Sequence, residues 1–183
     1  MKKQTIFSIL FMMIAGFTYA QKGTTVVGSE VMYPEKNIVQ NALNSKDHTT
    51  LVAAVQAAGL VETLSGKGPF TVFAPVNDAF ENLPAGTVDA LLKPENKSKL
   101  TNVLTYHVVA GRYDFNALAD LIKKGNGMAT LKTVQGASLV FMMNGSHNIV
   151  VKDDMGVVAN ISTYDVMQSN GVIHVIDKVL MAK

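Results

Sequence analysis

Four turn signals cut the C-terminal part of this 183-residue chain into apolar pieces too short for helices: Gln135-Gly136, Asn144-Gly145, Asp154-Met155-Gly156 and Asn170-Gly171. The pieces between them, residues 130–134, 138–142, 149–152, 157–162 and 172–180, are apolar and rich in β-forming residues. Asn-Gly is the strongest short hairpin signal, because both residues tolerate positive φ. The spacing therefore predicts an antiparallel meander, and the unbroken apolar run 172–180 reads as a central strand buried on both faces.

The residues before the meander follow a different period. Ile38, Val39, Ala42 and Leu43 recur at helix spacing. Thr49 or Thr50 is placed to cap a second helix, 51–58, with Gly59 to stop it and Leu60 to pack back over the end. Gly66-Lys67-Gly68-Pro69 predicts a turn into a short strand, 70–73. Pro75 ends that strand, and Asn77 or Asp78 starts a helical turn carrying Phe80 and Leu83. Helices are also expected over 88–92, around Leu100, Val103 and Leu104, and over 115–124, stopped by Gly125. Helices first and a meander later is an α+β arrangement.

The chain opens with Lys2 and Lys3, an apolar run over 6–17, and Thr18-Tyr19-Ala20. This is the pattern of a secretory signal peptide cleaved after Ala20. The run is shorter than the roughly 20 apolar residues that cross a bilayer, so no membrane span is expected in the mature chain, which is read as secreted or periplasmic. Residues 21–36, polar and broken by Gly23, Gly28 and Pro34, read as a flexible tether, and 37–183 as one domain. There is no cysteine, so the core alone must hold the fold. About 160 residues suffice for that, burying on the order of 70% of the unfolded chain's surface. Taking Lys2 and Lys3 from the 16 basic side chains leaves 14 against 14 acids, and Arg112 is the sole arginine. A neutral chain without arginine forks or a basic stripe is poorly equipped for nucleic acid.

Three segments carry a resemblance. Residues 71–80, Thr-Val-Phe-Ala-Pro-Val-Asn-Asp-Ala-Phe, resemble the first signature box of the fasciclin family. Residues 104–109, Leu-Thr-Tyr-His-Val-Val, resemble its central Tyr-His motif, and 170–180, beginning Asn-Gly-Val-Ile-His-Val-Ile-Asp, its closing box. The three stand in order at domain-sized spacing, and the likeness extends over nearly all of 37–180. One departure is Val76, where the family often has Thr or Ser. The resemblance implies a compact β-wedge of antiparallel strands with several helices packed at one end, in secreted and surface proteins that mediate adhesion or matrix contacts.

The motif residues also have a physical reading. Phe73, Pro75, Asn77 and Phe80 convert a strand into a helix: proline fixes φ and removes a donor, and Asn77 or Asp78 can accept from the orphan N–H groups of that helix. Asn170 and Gly171 turn the chain into the last strand, which carries His174 and leads to Asp177. For Tyr106 and His107 two readings stand. The resemblance implies that this motif contributes to receptor contacts in animal members, whereas the apolar flanks Leu104, Val108 and Val109 favour a buried, hydrogen-bonded pair. His174, between Ile173 and Val175, is read as a satisfied core residue.

Catalysis and cofactors find little support. His48, His107, His147 and His174 form no local zinc-ligand pair, and no metal or cofactor is expected. Neither Gly136-Ala137-Ser138 nor Gly145-Ser146-His147 is a nucleophile elbow. Gly66-x-Gly68 and Gly125-x-Gly127 lack the rest of either phosphate-binding fingerprint. Asp153-Asp154 reads as a solvated hairpin end. The functional expectation is a non-catalytic recognition module that contacts a surface protein, glycan or matrix polymer. The alternative is a carrier of a small apolar ligand in the wedge interior, lined by methionines such as Met142, Met143 and Met167.

Overall fold

The computed structural model describes residues 23–183, so the leader (1–20) lies outside the described residues. The segment expected as a tether instead begins with a hairpin, β1 (Thr25–Val27) paired with β2 (Glu30–Met32). Its Val27 and Met32 are buried in the core. The glycines and proline of this segment hid it, because strands of three residues are too short to show an alternation.

The helical half follows. Asn37 caps α1 (Ile38–Ala42) reciprocally: its side chain accepts the Gln40 N–H at 2.8 Å while Gln40 Oε1 accepts the Asn37 N–H at 2.9 Å. After a 3₁₀ turn at Lys46–His48, α2 (Thr49–Ala58) ends at Gly59, whose φ of 73° is the left-handed stop that favours glycine. Leu60 leads into a helix absent from the sequence reading, α3 (Val61–Ser65). Then come β3 (Phe70–Pro75), α4 (Asn77–Glu81), α5 (Thr87–Leu92), α6 (Lys97–Tyr106), β4 (Val108–Ala110) and α7 (Phe115–Lys124).

The meander is β5 (Met128–Lys132), β6 (Ser138–Asn144), β7 (Asn148–Lys152), β8 (Val158–Gln168) and β9 (Gly171–Ile176). Strand β8 runs six residues further than expected, absorbing a bend through irregularities near Thr163 and through Asp165, which has φ 56°. The seven strands lie in the order β4-β3-β9-β8-β7-β6-β5. An antiparallel bridge between Val109 and Thr133 brings β4 towards β5 at the far edge, nearly closing the sheet. One pair departs from the antiparallel expectation: β3 and β9 are parallel, from Phe70 beside Gly171 to Pro75 beside Ile176. A parallel pair needs a long connection, and β4 to β8 lie between these two strands in the chain.

That pair divides two cores. Val72, Ala74, Ile173 and Val175 face the helices with Ile38, Leu51, Leu64 and Leu104. Phe73 and Ile176 face the opposite side with Phe141, Leu139, Ile149 and the Leu118/Ile122 face of α7. Period-2 alternation thus gives each central strand two buried faces, as the apolar run beginning at residue 172 implied.

Candidate functional site

The central motif sits where α6 gives way to β4. Tyr106 is fully buried, its hydroxyl donating to the Ser138 carbonyl at 2.9 Å and accepting the Asp154 N–H at 3.0 Å. His107 is buried beside it. Its Nδ1–H donates to the Val103 carbonyl at 2.8 Å, and its Nε2 accepts the Leu180 N–H at 2.9 Å. Those partners select one neutral tautomer, and burial lowers the ring's pKa to about 4. Neither side chain is open to a partner in this conformation.

His174 is also enclosed. Its Nε2–H donates to the Tyr113 carbonyl at 2.8 Å, its ring stacks on Phe73 at 5.6 Å between centroids, and burial lowers its pKa. Asp177 accepts from the Asn160 backbone N–H and side-chain amide, both at 2.7 Å, and so joins the end of β9 to β8. Pro75 closes β3, and Phe80 packs half-buried against the helical core.

The two turn residues act over longer range than expected. Asn77 does not cap its own helix; the position before α4 is Val76, which offers no side-chain cap. The Asn77 Oδ1 instead accepts the Thr50 N–H at 3.1 Å, and its amide donates to the Lys46 carbonyl at 2.9 Å. It therefore caps α2, the helix expected to be capped by Thr49 or Thr50. Asn170 likewise bonds outside its hairpin, accepting the Ile38 N–H at 3.0 Å and donating to the carbonyls of Leu64 at 2.8 Å and Gly66 at 3.0 Å. Neither Asn170 nor Gly171 has a positive φ. Gly171 is needed for another reason: a Cβ there would lie 2.1 Å from the Phe70 carbonyl oxygen.

Sequence reasoning missed several residues. Asp153, expected in solvent, is buried and accepts the N–H groups of Val157 at 2.8 Å and Met181 at 2.9 Å. Thr71 is fully buried, donating to the Gly111 carbonyl at 2.8 Å and accepting the Tyr113 N–H at 2.9 Å. His48 is buried, with Nδ1 2.8 Å from the Ser45 hydroxyl, and it lines an apolar cavity between the helices and the sheet. The i, i+3 spacing of Ser45 and His48 was the available signal for that pair. Met142, Met143 and Met167 do not line the cavity. On the surface, a cleft of about 570 Å³ opens between the loop at 65–69 and the turn before β9, with Lys67 and Arg112 exposed on it.

Among the described residues, no three His, Asp or Glu side chains converge as metal ligands, and no helix is long and apolar enough to cross a membrane. Fold and motif together describe an α+β module whose named residues are spent on holding elements to one another. The chain belongs to the fasciclin domain family, whose model matches residues 46–182. It is 45% identical over 158 residues to Protein sll1483 of Synechocystis sp., covering 86% of this chain and 80% of that protein. It is 36% identical to Immunogenic protein MPB70 of Mycobacterium bovis, covering 89% and 78%. Against Transforming growth factor-beta-induced protein ig-h3 of Sus scrofa it is 36% identical over 86% of this chain but 21% of that protein. The fold resembles a solved FAS1 domain pair from the insect cell adhesion molecule fasciclin I, with a TM-score of 0.70 at 18% identity, covering 80% of this chain and 51% of that one.

Proposed function

We propose that this chain is an exported, non-catalytic recognition module that attaches to a surface or matrix polymer of the producing cell. The observation that carries the reading is membership of the fasciclin domain family across residues 46–182. A structural relative by fold is named as a cell adhesion molecule, and the leader pattern of residues 1–20 fits a protein at work outside the cytoplasm.

Because Tyr106 and His107 are buried, the contact belongs elsewhere on the surface. The cleft with Lys67 and Arg112 suits it, since two exposed cations beside the polar Ser169 match a polymer that carries acidic groups. Contacts of this kind steer association and fix register more than they add affinity, so copies arrayed on a polymer would hold by multivalency.

The test is binding of the exported protein to the producer's intact cells and isolated matrix, with Lys67→Glu and Tyr106→Phe beside the natural chain. Saturable binding that weakens in Lys67→Glu at low salt and persists in folded Tyr106→Phe is expected. Binding no stronger than that of an unrelated exported protein would overturn the proposal.

A further inference from the structure

The helical end of the wedge is not completely filled. A cavity of about 80 Å³ lies between α1, α2 and the face of β3 and β9 that carries Val72, Ala74, Ile173 and Val175. Of its 22 lining residues, only His48, Gln56 and His107 are polar. Both ring nitrogens of His107 are engaged, by Val103 and Leu180, and Gln56 is exposed at the surface. His48 is different. The residue is 4% exposed, and its Nε2 is buried with no hydrogen-bond partner among the described residues.

A buried ring nitrogen without a partner is uncommon, because the lost hydration is not replaced. The Ala74 backbone lies near enough to favour the charged ring, though short of hydrogen-bond geometry, and burial outweighs it and lowers the pKa. A single water would find the His48 ring and the Ala74 backbone and otherwise an almost wholly apolar wall, the bottom of the two to four polar partners that buried water needs. A mostly apolar molecule with one hydrogen-bonding group answers both features of the cavity.

The chemistry of that group follows from Ser45. Its hydroxyl faces His48 Nδ1 at 2.8 Å and can donate or accept, so Nε2 is a donor in one tautomer and an acceptor in the other. A ligand hydroxyl suits either. The cavity has roughly half the volume of the engineered apolar cavity of about 150 Å³ that takes benzene, which sets the fully enclosed portion at about three non-hydrogen atoms, the rest of a longer chain lying in the apolar mouth. An apolar route leads in from solvent. Leu43 lines the cavity while 53% exposed, and the β1–β2 hairpin is apolar on both faces, with Val27 and Met32 inward and Val26 and Val31 outward.

We infer that this cavity is a binding site for the hydroxylated end of a small apolar molecule, with His48 Nε2 pairing the hydroxyl and the aliphatic wall of α1 and α2 taking the hydrocarbon. The site is independent of the proposed adhesive contact and lies apart from the Lys67–Arg112 cleft.

The test follows the methyl NMR signals of Leu51, Val55 and Leu104 in the purified protein during titration with 1-butanol and with n-pentane, which have equal numbers of non-hydrogen atoms. Saturable shifts are expected, with the alcohol bound about tenfold more tightly than the alkane. In the paired variant Ser45→Ala/His48→Phe, which removes both polar partners, that preference should vanish while alkane binding remains. Ala42→Leu keeps Ser45 and His48 but fills the cavity, and should abolish both shifts. A third titration with 1-decanol separates two forms of the same site: tighter binding means that a longer chain rests on Leu43, and equal binding means that a short alcohol is the whole ligand. Absence of saturable shifts, equal affinity for alcohol and alkane, or shifts unchanged by Ala42→Leu would each overturn the inference.

Discussion

His107 Nε2 accepts the N–H of Leu180 at 2.9 Å, so the central motif holds the C-terminal end of the chain 73 residues away. Its Nδ1–H is committed to Val103, and protonation would place a second ring hydrogen against an N–H that already points at the ring. Burial and these partners make the neutral ring part of the fold.

A pH dependence follows. The folded His107 has its pKa lowered from 6.5 to about 4, so the unfolded chain binds more protons than the folded one between those values. Its contribution to stability is complete above pH 6.5 and is lost as pH falls from 6.5 towards 4. The loss is about 3 kcal/mol for this residue at about 1.4 kcal/mol per pH unit. Burial shifts His48 and His174 in the same direction, so they steepen the loss. Urea midpoints measured across this range should fall with acidification; a flat profile would contradict the buried neutral histidines.

Tyr106→Phe keeps the ring in the core but leaves the Ser138 carbonyl and the Asp154 N–H unpaired. Unsatisfied groups of this kind cost about 1–3 kcal/mol. The urea midpoint should drop with an unchanged slope, and an unaltered midpoint would mean that water replaces the hydroxyl.

Asn77→Ala removes the acceptor for the Thr50 N–H and the donor to the Lys46 carbonyl. The expected cost is that of a lost N-cap, about 1 kcal/mol. Amide exchange should quicken in the first turn of α2 and not in α4, the helix that Asn77 itself begins. Faster exchange confined to α4 would refute the assignment.

Gly171→Ala places a methyl group 2.1 Å from the Phe70 carbonyl oxygen and 3.0 Å from Ile38 Cδ1. The β3 backbone cannot retreat without disturbing its parallel pairing with β9, so a destabilisation of about 3 kcal/mol is expected from overpacking. Thermal unfolding of the variant checks this, and a native melting temperature would show that the strands have slack.

Much of the architecture was legible because it is local. Helix spacing placed α1, α2, α6 and α7, and Gly59 marked the end of α2 as expected. The turn signals separated the strands of the meander, and the three fasciclin boxes led to the right family. Less of the site could be read. Asn77 looked like the cap of the helix it begins, and Asn170 like half of a tight turn, since both are the residues such positions prefer. Their actual partners, Thr50 and Ile38, lie 27 and 132 residues away. Asp153 looked solvated because a charged pair at a turn normally is; here two backbone N–H groups meet its carboxylate.

The sequence by itself determined most of the helices, the turn-bounded strands of the meander, the apolar run of the central strand, and that no disulfide holds the core. Each of these follows from periodicity, turn chemistry and composition, which act over a few residues. Only the tertiary structure decided that β3 and β9 run parallel, that the segment before α1 forms a hairpin on the core, that Tyr106 and His107 are enclosed, and that His48 faces a cavity with one nitrogen unmatched. The reason is physical. A side chain's role depends on which distant backbone groups are brought within about 3 Å of it, and that is set by strand order and register across the whole chain.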